Sequence, residues 1–316
     1  MTTLPCDRCF CAAQIVSRAV KEDLLGLGLN RLSKVICPKG YRGRQLVFDA
    51  FKKYYQDNGH QGASSMIQIR YKSMRRYGLC EEDIAHFDLN VCLGLLINTV
   101  PAACWTLYYV YSQPALLDEV RTAISSYLKS TAEGPSHHVN IADIVSACPL
   151  IPSIVHETLR LQSVSSSVRK VLEDTVVNGQ YLLKKGSTVL IPSAQVHKTN
   201  SLWGTSSRNF DPRRFCSDGV FEPKKPTSVY RAFGGGSFLC PGRFLAVNEI
   251  MIVLVVMVCK YNLEPLADSS WEWPQTQSSL TSAMLSPRKE IRVNMQERKG
   301  FESVNWRFEW RSKTDA

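Results

Sequence analysis

The sequence predicts a mainly α-helical fold with small β-sheets, on three observations. Residues 91–111 run 21 positions without a charge, too long for a strand, and 242–260 is a second apolar stretch of helical length. Apolar positions at helical spacing recur through the first 160 residues. Short β-rich runs cluster between 168 and 191, punctuated by Asn178-Gly179 and Lys185-Gly186. Long helices with minor β structure and one stretch of hairpins describe a single domain over 1–316.

In chain order, helical periodicity covers 12–32, and a Pro38-Lys39-Gly40 turn follows. A helix over 41–55 places Leu46, Val47, Ala50 and Phe51 on one side and Arg42, Arg44, Lys52 and Lys53 on the other. The next helix covers 64–76. Glu81 and Glu82 lie at the positive end of the long helix that contains 91–111. That stretch meets the length criterion for a membrane span, but Asn98, Thr99 and Pro101 at its centre favour a helix buried in protein. Pro114 opens a helix to about 128, and 130–140 is a polar loop. A helix over 149–161 carries His-Glu-Thr-Leu-Arg, and strands are expected at 168–172, 180–183 and 188–191. A loop over 197–232 leads into a glycine-rich segment and the helix 242–260. A strand pair within 277–295 turns near Pro287, and 297–316 forms a polar, flexible tail.

Composition narrows the function classes. The chain has 38 basic and 28 acidic residues, a formal charge of +10 that suits an acidic partner surface or an anionic membrane. No zinc-finger, helix-turn-helix or RNA-binding signature accompanies it, so no nucleic-acid partner is expected. Eleven cysteines, an odd number without regular spacing, argue for reduced thiols in an intracellular protein. Cys6, Cys9 and Cys11 lack the second ligand pair a zinc site needs. The N-terminal residues carry neither an anchor nor a signal-peptide pattern, which leaves peripheral membrane contact as the open form of membrane association.

The segment Phe-Gly-Gly-Gly-Ser-Phe-Leu-Cys-Pro-Gly-Arg, 233–243, makes the most specific chemical claim. Its glycines let backbone approach a flat ligand closely and aim amides at the Cys240 sulfur. The helix that follows adds its positive end, which favours the thiolate as a metal ligand. The plain alternative is a glycine-rich turn around a buried cysteine.

The segment resembles the heme-binding signature of the cytochrome P-450 superfamily, with Phe233, Gly236, Cys240 and Gly242 in the signature positions. The residue two before the cysteine, commonly basic in the family, is Phe238 here. Glu157 and Arg160 match the family's Glu-x-x-Arg helix, and Phe-Asp-Pro-Arg-Arg-Phe at 210–215 matches the segment whose arginine, here Arg214, joins them in a buried salt-bridge cluster. Arg169 resembles the arginine that binds a heme propionate, and Asn98 and Thr99 align with the acid–alcohol pair that delivers protons during oxygen activation. Leu95 and Leu96 depart from the small residues usual just before that pair. His197 opens a stretch resembling the one before the salt-bridge arginine and is not assigned to iron. Asn-Thr-Val-Pro-Ala-Ala-Cys-Trp at 98–105 and the absent basic residue both resemble the sterol 7α-hydroxylase and prostacyclin-synthase branch.

The resemblance implies the C-terminal two-thirds of that fold, an N-terminally truncated domain binding heme through Cys240. It implies monooxygenation of a lipophilic sterol- or terpenoid-like molecule, with Ser165, Ser166, Val168 and Met284 lining the substrate space. Electrons would come from NADPH through a reductase, in the cytoplasm or at the cytosolic face of the endoplasmic reticulum. Two alternatives stay open: a truncated, inactive relative, and peroxide rearrangement without external electrons, which Asn98 raises because an amide offers no titratable proton.

Overall fold

The computed structural model describes residues 33–36, 38–131, 136–222, 226, 228–266, 270–278, 282–301 and 305–309. The helix expected over 12–32 and the cysteines at 6, 9 and 11 lie outside these. The architecture is mainly α with small β-sheets, as two compact units: Met1–Asn98 with Ser279–Ser282, and Thr99–Ser278 with Ala283–Ala316.

In the first unit, helices α1 (Ser33–Ile36), α2 (Pro38–Gln56), α3 (Ser65–Arg76) and α4 (Glu81–Gly94) surround a small core. Pro38 is the first residue of α2, so the Pro-Lys-Gly segment is the opening turn of the helix; proline's fixed φ and missing N–H suit that position. The buried stripe of α2 is Gly40, Gly43, Val47, Phe48 and Tyr55. Leu46 and Ala50, expected inward, face out. Val47, Phe48 and Tyr55 pack on Ile84, Ala85 and Leu89 of α4. Asp88 is buried there because Tyr55 and Arg70 both donate to its carboxylate, compensating its lost hydration. At the start of α4, Asp83 accepts the Cys80 amide (3.1 Å) as a cap, and Glu81 and Glu82 occupy the positive end as the sequence predicts.

The expected long helix changes pitch inside its polar stretch. Leu95–Thr99 is a π turn, and α5 (Val100–Tyr111) continues the run. Pro101 supplies no N–H to the ladder, and the Ile97 carbonyl is reached instead by the Ser282 hydroxyl at 3.1 Å. By length and composition Glu81–Tyr111 is the one helix among the described residues that could cross a membrane, with 33% of its most apolar window buried. Its second half is core: Ala102, Trp105, Thr106 and Val110 are inaccessible to solvent.

The second unit is built on α5, α6 (Pro114–Thr131), α8 (Leu150–Gln162) and α11 (Arg243–Lys260), with the short α7 (Ile141–Ala147), α9 (Ser193–His197) and α10 (Asn200–Trp203) between them. Ile151, Ile154 and Val155 of α8 meet Leu254, Val255 and Val258 of α11 in the centre. The C-terminal carbonyls of α11 have no intrahelical partner, and two cations serve them: Arg121 donates to Val258 (3.0 Å) and Arg298 to Val258 (3.0 Å) and Cys259 (2.9 Å).

All strand pairs among the described residues are two-stranded. Strands β2 (Ser166–Lys170) and β5 (Thr188–Pro192) pair antiparallel with Arg169 opposite Val189. Inside them, β3 (Thr175–Val177) and β4 (Tyr181–Leu183) form a hairpin. Asn178 and Gly179, at φ 53° and 67°, make its two-residue turn, the left-handed pair a tight hairpin requires. A second hairpin of this kind, β6 (Cys216–Ser217) and β7 (Val220–Phe221), turns on Asp218 and Gly219 inside the expected loop. Three expectations differ. The 130–140 loop and the polar tail supply β1 (Ser136–Asn140) and β12 (Asn305–Glu309), which pair in parallel. β11 (Val293–Glu297) pairs with β8 (Tyr261–Pro265), directly after α11, rather than within 277–295. Pro287 sits inside β10 (Ser286–Pro287), opposite β9 (Thr276–Gln277), rather than near a turn.

Candidate functional site

The cysteine segment is a backbone-locked loop at the start of α11, which is exposed or half-buried over its first two turns and packs into the core from Ile250 onward. The Cys240 amide donates to the Phe233 carbonyl (3.0 Å), Leu239 to Gly236 (3.1 Å) and Gly234 to Arg231 (3.1 Å), so the loop folds back on itself before α11 begins. Gly234 and Gly236 adopt φ of 79° and 64°, which L side chains rarely tolerate. A Cβ at Gly235 would lie 3.1 Å from the Arg231 guanidinium, and one at Gly242 would lie 3.8 Å from the Cys240 sulfur. Cys240 itself is half-buried, and Arg243 donates to its carbonyl at 3.0 Å. Phe233 packs against the main core, which anchors the upstream end of the loop.

Glu157, Arg160 and Arg214 come together as the sequence predicts. Arg160 makes two parallel bonds of 2.7 Å to the two Glu157 oxygens, and Arg214 Nε adds a third at 3.0 Å. The Asp211 amide is a fourth donor, at 3.1 Å. Glu157 and Arg160 are fully buried, yet their remaining hydrogen-bonding capacity is used: Arg160 also donates to the carbonyls of His197 and Ser207 and lies over the Trp203 ring at 4.9 Å. The cluster thereby ties α8 to the 197–215 segment. Phe210 stacks on Tyr109 at 3.9 Å and the Phe215 amide bonds Ser153 at 3.1 Å, so Phe-Asp-Pro-Arg-Arg-Phe is held along its length.

Sequence reasoning did not foresee the part His197 and Arg231 play in joining this cluster to the cysteine loop. His197 Nδ1 donates to the Arg160 carbonyl (2.8 Å), while Nε2 accepts the Arg231 amide (2.8 Å), so both ring nitrogens are committed and the ring is held neutral. Burial pushes its pKa down to about 4, and burial does the same to His156, whose ring meets the Tyr230 hydroxyl at 3.1 Å. The Arg231 guanidinium reaches the Ser167 hydroxyl (2.8 Å) and flanks Gly235. The visible signal for Arg231 is a cation two residues before Phe233 in an otherwise uncharged segment.

The other candidate residues are placed as follows. Arg169, exposed on β2, donates to the Val168 carbonyl (2.8 Å) and stacks over the Phe238 ring at 4.5 Å. Asn98, in the first unit, donates back to the Gly94 carbonyl (3.0 Å) from within the π turn, and Thr99 is the last residue of that turn. Of the substrate-lining candidates, Ser165 shares a hydrogen bond with Ser193 (3.0 Å), whereas Ser166 and Val168 are exposed. Met284 is buried, its sulfur 3.6 Å from the Ser163 hydroxyl. Ala283 and Leu285 bond the backbone at Val164 and Gln162, so the tip around Met284 does lie beside the residues that follow α8.

The residues present suit a heme: a single sulfur ligand, a loop turned by two left-handed glycines with open space at Gly236, and a helix N-terminus behind it. Comparison with known proteins agrees. The family model for cytochrome P450 matches residues 44–295. The chain is 31% identical over 294 residues to the cytochrome P450 monooxygenase nodJ of Hypoxylon pulicicidum, covering 89% of this chain and 56% of that protein. It is 29% identical over 221 residues to the 25-hydroxycholesterol 7-alpha-hydroxylase of Rattus norvegicus, 65% of this chain and 52% of the relative. It is also 29% identical over 215 residues to abscisic acid 8'-hydroxylase 2 of Arabidopsis thaliana, 67% and 42% respectively. The chain spans about half the length of the curated relatives it matches. With the cysteine loop and the Glu157–Arg160–Arg214 cluster in place, and the family model matched over most of its length, this chain belongs to the cytochrome P450 family.

Proposed function

We propose that Cys240 ligates a heme iron and that the chain serves monooxygenation of a lipophilic sterol- or terpenoid-like small molecule, in secondary metabolism, with electrons from NADPH through a reductase. The observation that carries this reading is the cysteine loop, closed by the Cys240–Phe233 bond and opening directly into α11, whose buried face begins at Ile250. Support for the substrate class comes from relatives named for action on hydroxylated cholesterol and abscisic acid. When bound, the heme supplies oxygen activation, with electron density from the sulfur favouring O–O cleavage.

The protein's part is holding, orienting and proton handling. Phe233 and Gly236 shape the loop, and Arg169 offers a guanidinium to a propionate. Asn98 gives one of its two amide N–H groups to Gly94 and has no titratable proton, so in this relay it holds a water while the Thr99 hydroxyl passes the proton. Ser165, Ser166, Val168 and the Met284 tip contribute the substrate-facing surface. The basic excess suits an acidic face of the reductase, at the cytosolic surface of the endoplasmic reticulum.

The test is spectroscopic. Purified chain reconstituted with hemin, reduced and exposed to carbon monoxide is expected to give the red-shifted Soret band of a cysteinate complex, and Cys240→Ala to abolish it. An unshifted band in the wild-type protein, or no heme uptake, sinks the proposal. Substrate oxidation with NADPH and reductase, set against turnover of an organic peroxide alone, separates monooxygenation from peroxide rearrangement.

A further inference from the structure

Phe238 stands two residues before Cys240, where relatives commonly carry a base, and a phenyl ring cannot bond a carboxylate. It is nevertheless not idle. The ring closes the short 3₁₀ turn Gly236–Phe238, whose position is set by the left-handed Gly236 and the Leu239–Gly236 bond. It is 74% exposed, so core packing does not explain its place. The Arg169 guanidinium lies over its face at 4.5 Å, reached from the neighbouring strand β2.

An arginine on an exposed strand has many rotamers, and fixing it costs side-chain entropy. Two contacts oppose that cost here: the ring face and the 2.8 Å bond from Arg169 Nη1 to the Val168 carbonyl. Only one of the five guanidinium N–H groups is used by that bond, so a carboxylate can still be met by two parallel donors. Resting on the heme reading above, we infer that Phe238 is a positioning residue: it holds Arg169 by cation–π stacking so that one guanidinium does the work of the missing base toward a heme propionate.

The experiment is a set of hemin-binding titrations on the full chain, repeated with hemin dimethyl ester, in which both propionates are neutral. Arg169→Ala is expected to weaken hemin binding about tenfold, the loss of a charge-assisted contact. Phe238→Ala is expected to weaken it about fivefold, the size of an exposed cation–π pair. Phe238→Trp, which offers a stronger π face, is expected to bind like the wild type. The double variant should match Arg169→Ala alone, and all differences should vanish with the ester. Because both side chains are exposed, these variants should fold, which far-UV circular dichroism checks.

Phe238→Ala losses that add to those of Arg169→Ala, or that persist with the ester, overturn the inference and make Phe238 a wall against the porphyrin. No loss in Phe238→Ala overturns it too. Failure of the heme reading is distinct: wild-type protein that takes up no hemin, or binds it as Cys240→Ala does without the red-shifted carbon monoxide band, overturns both.

Discussion

Glu157 has four donors and no access to water, so its removal is a sharper test than that of any exposed pair. Glu157→Ala leaves the Arg160 guanidinium charged and buried, and is expected to lower unfolding free energy by about 3–5 kcal/mol in chemical denaturation. Arg214→Ala should cost clearly less, because that side chain is partly exposed and Arg160 still neutralises the carboxylate. His197 gives a pH signature. Burial lowers its pKa from the ordinary 6.5 to about 4, so between those values the unfolded chain binds a proton the folded chain does not. Its contribution is complete above about pH 6.5, falls as the pH drops toward 4, and amounts to about 3 kcal/mol at most. His156 acts in the same window and direction. Thermal unfolding from pH 7.5 to 4 should show a slope that His197→Gln reduces, and an unchanged slope would count against this assignment. Glu157, Arg160 and Arg214 were legible in the sequence because their order relative to Cys240 is a pattern of residue types. His197 and Arg231 were not, since the His197 ring hydrogen-bonds only to backbone groups of Arg160 and Arg231, which any residue supplies, and Arg231 meets a serine 64 positions away.

At the scale of elements, the π turn and the hairpins make separate demands. The wide turn at Leu95–Thr99 carries a carbonyl, that of Ile97, served by a side chain from far along the chain. Ser282→Ala is expected to destabilise by about 1 kcal/mol, one buried hydrogen bond, as read by a shift in denaturation midpoint. Gly179→Ala forces a side chain into φ 67° and should cost about 1–2 kcal/mol by the same measurement, with no effect on heme uptake. Helix limits were readable within a residue or so where proline, acidic caps or an apolar period mark them, as at Pro114 and across 242–260. The Asn178-Gly179 turn and β4 after it were readable as well, while β3 on the near side was not, because its three exposed residues show no inward–outward alternation.

For the molecule as a whole, the formal +10 charge is a long-range property no single contact expresses. The proposed association with an NADPH-dependent reductase is expected to weaken steadily as salt rises, measured by titration at several ionic strengths; salt independence would exclude an electrostatic docking face. Periodicity by itself determined the helical class, and the motif around Cys240, through its resemblance to a family signature, pointed to the family and the heme-ligand candidate, because each is written in residue types at short spacing. Tertiary structure alone decided that β11 pairs with β8 and β1 with β12. It also decided that His197 bridges Arg160 to Arg231, and that Arg169 meets Phe238. Those contacts join residues from 28 to 169 positions apart, and nothing local in either partner encodes the other. The cysteine loop shows both sides of this: its glycines announce an unusual backbone, and only the fold reveals that the guanidinium over Phe238 comes from β2.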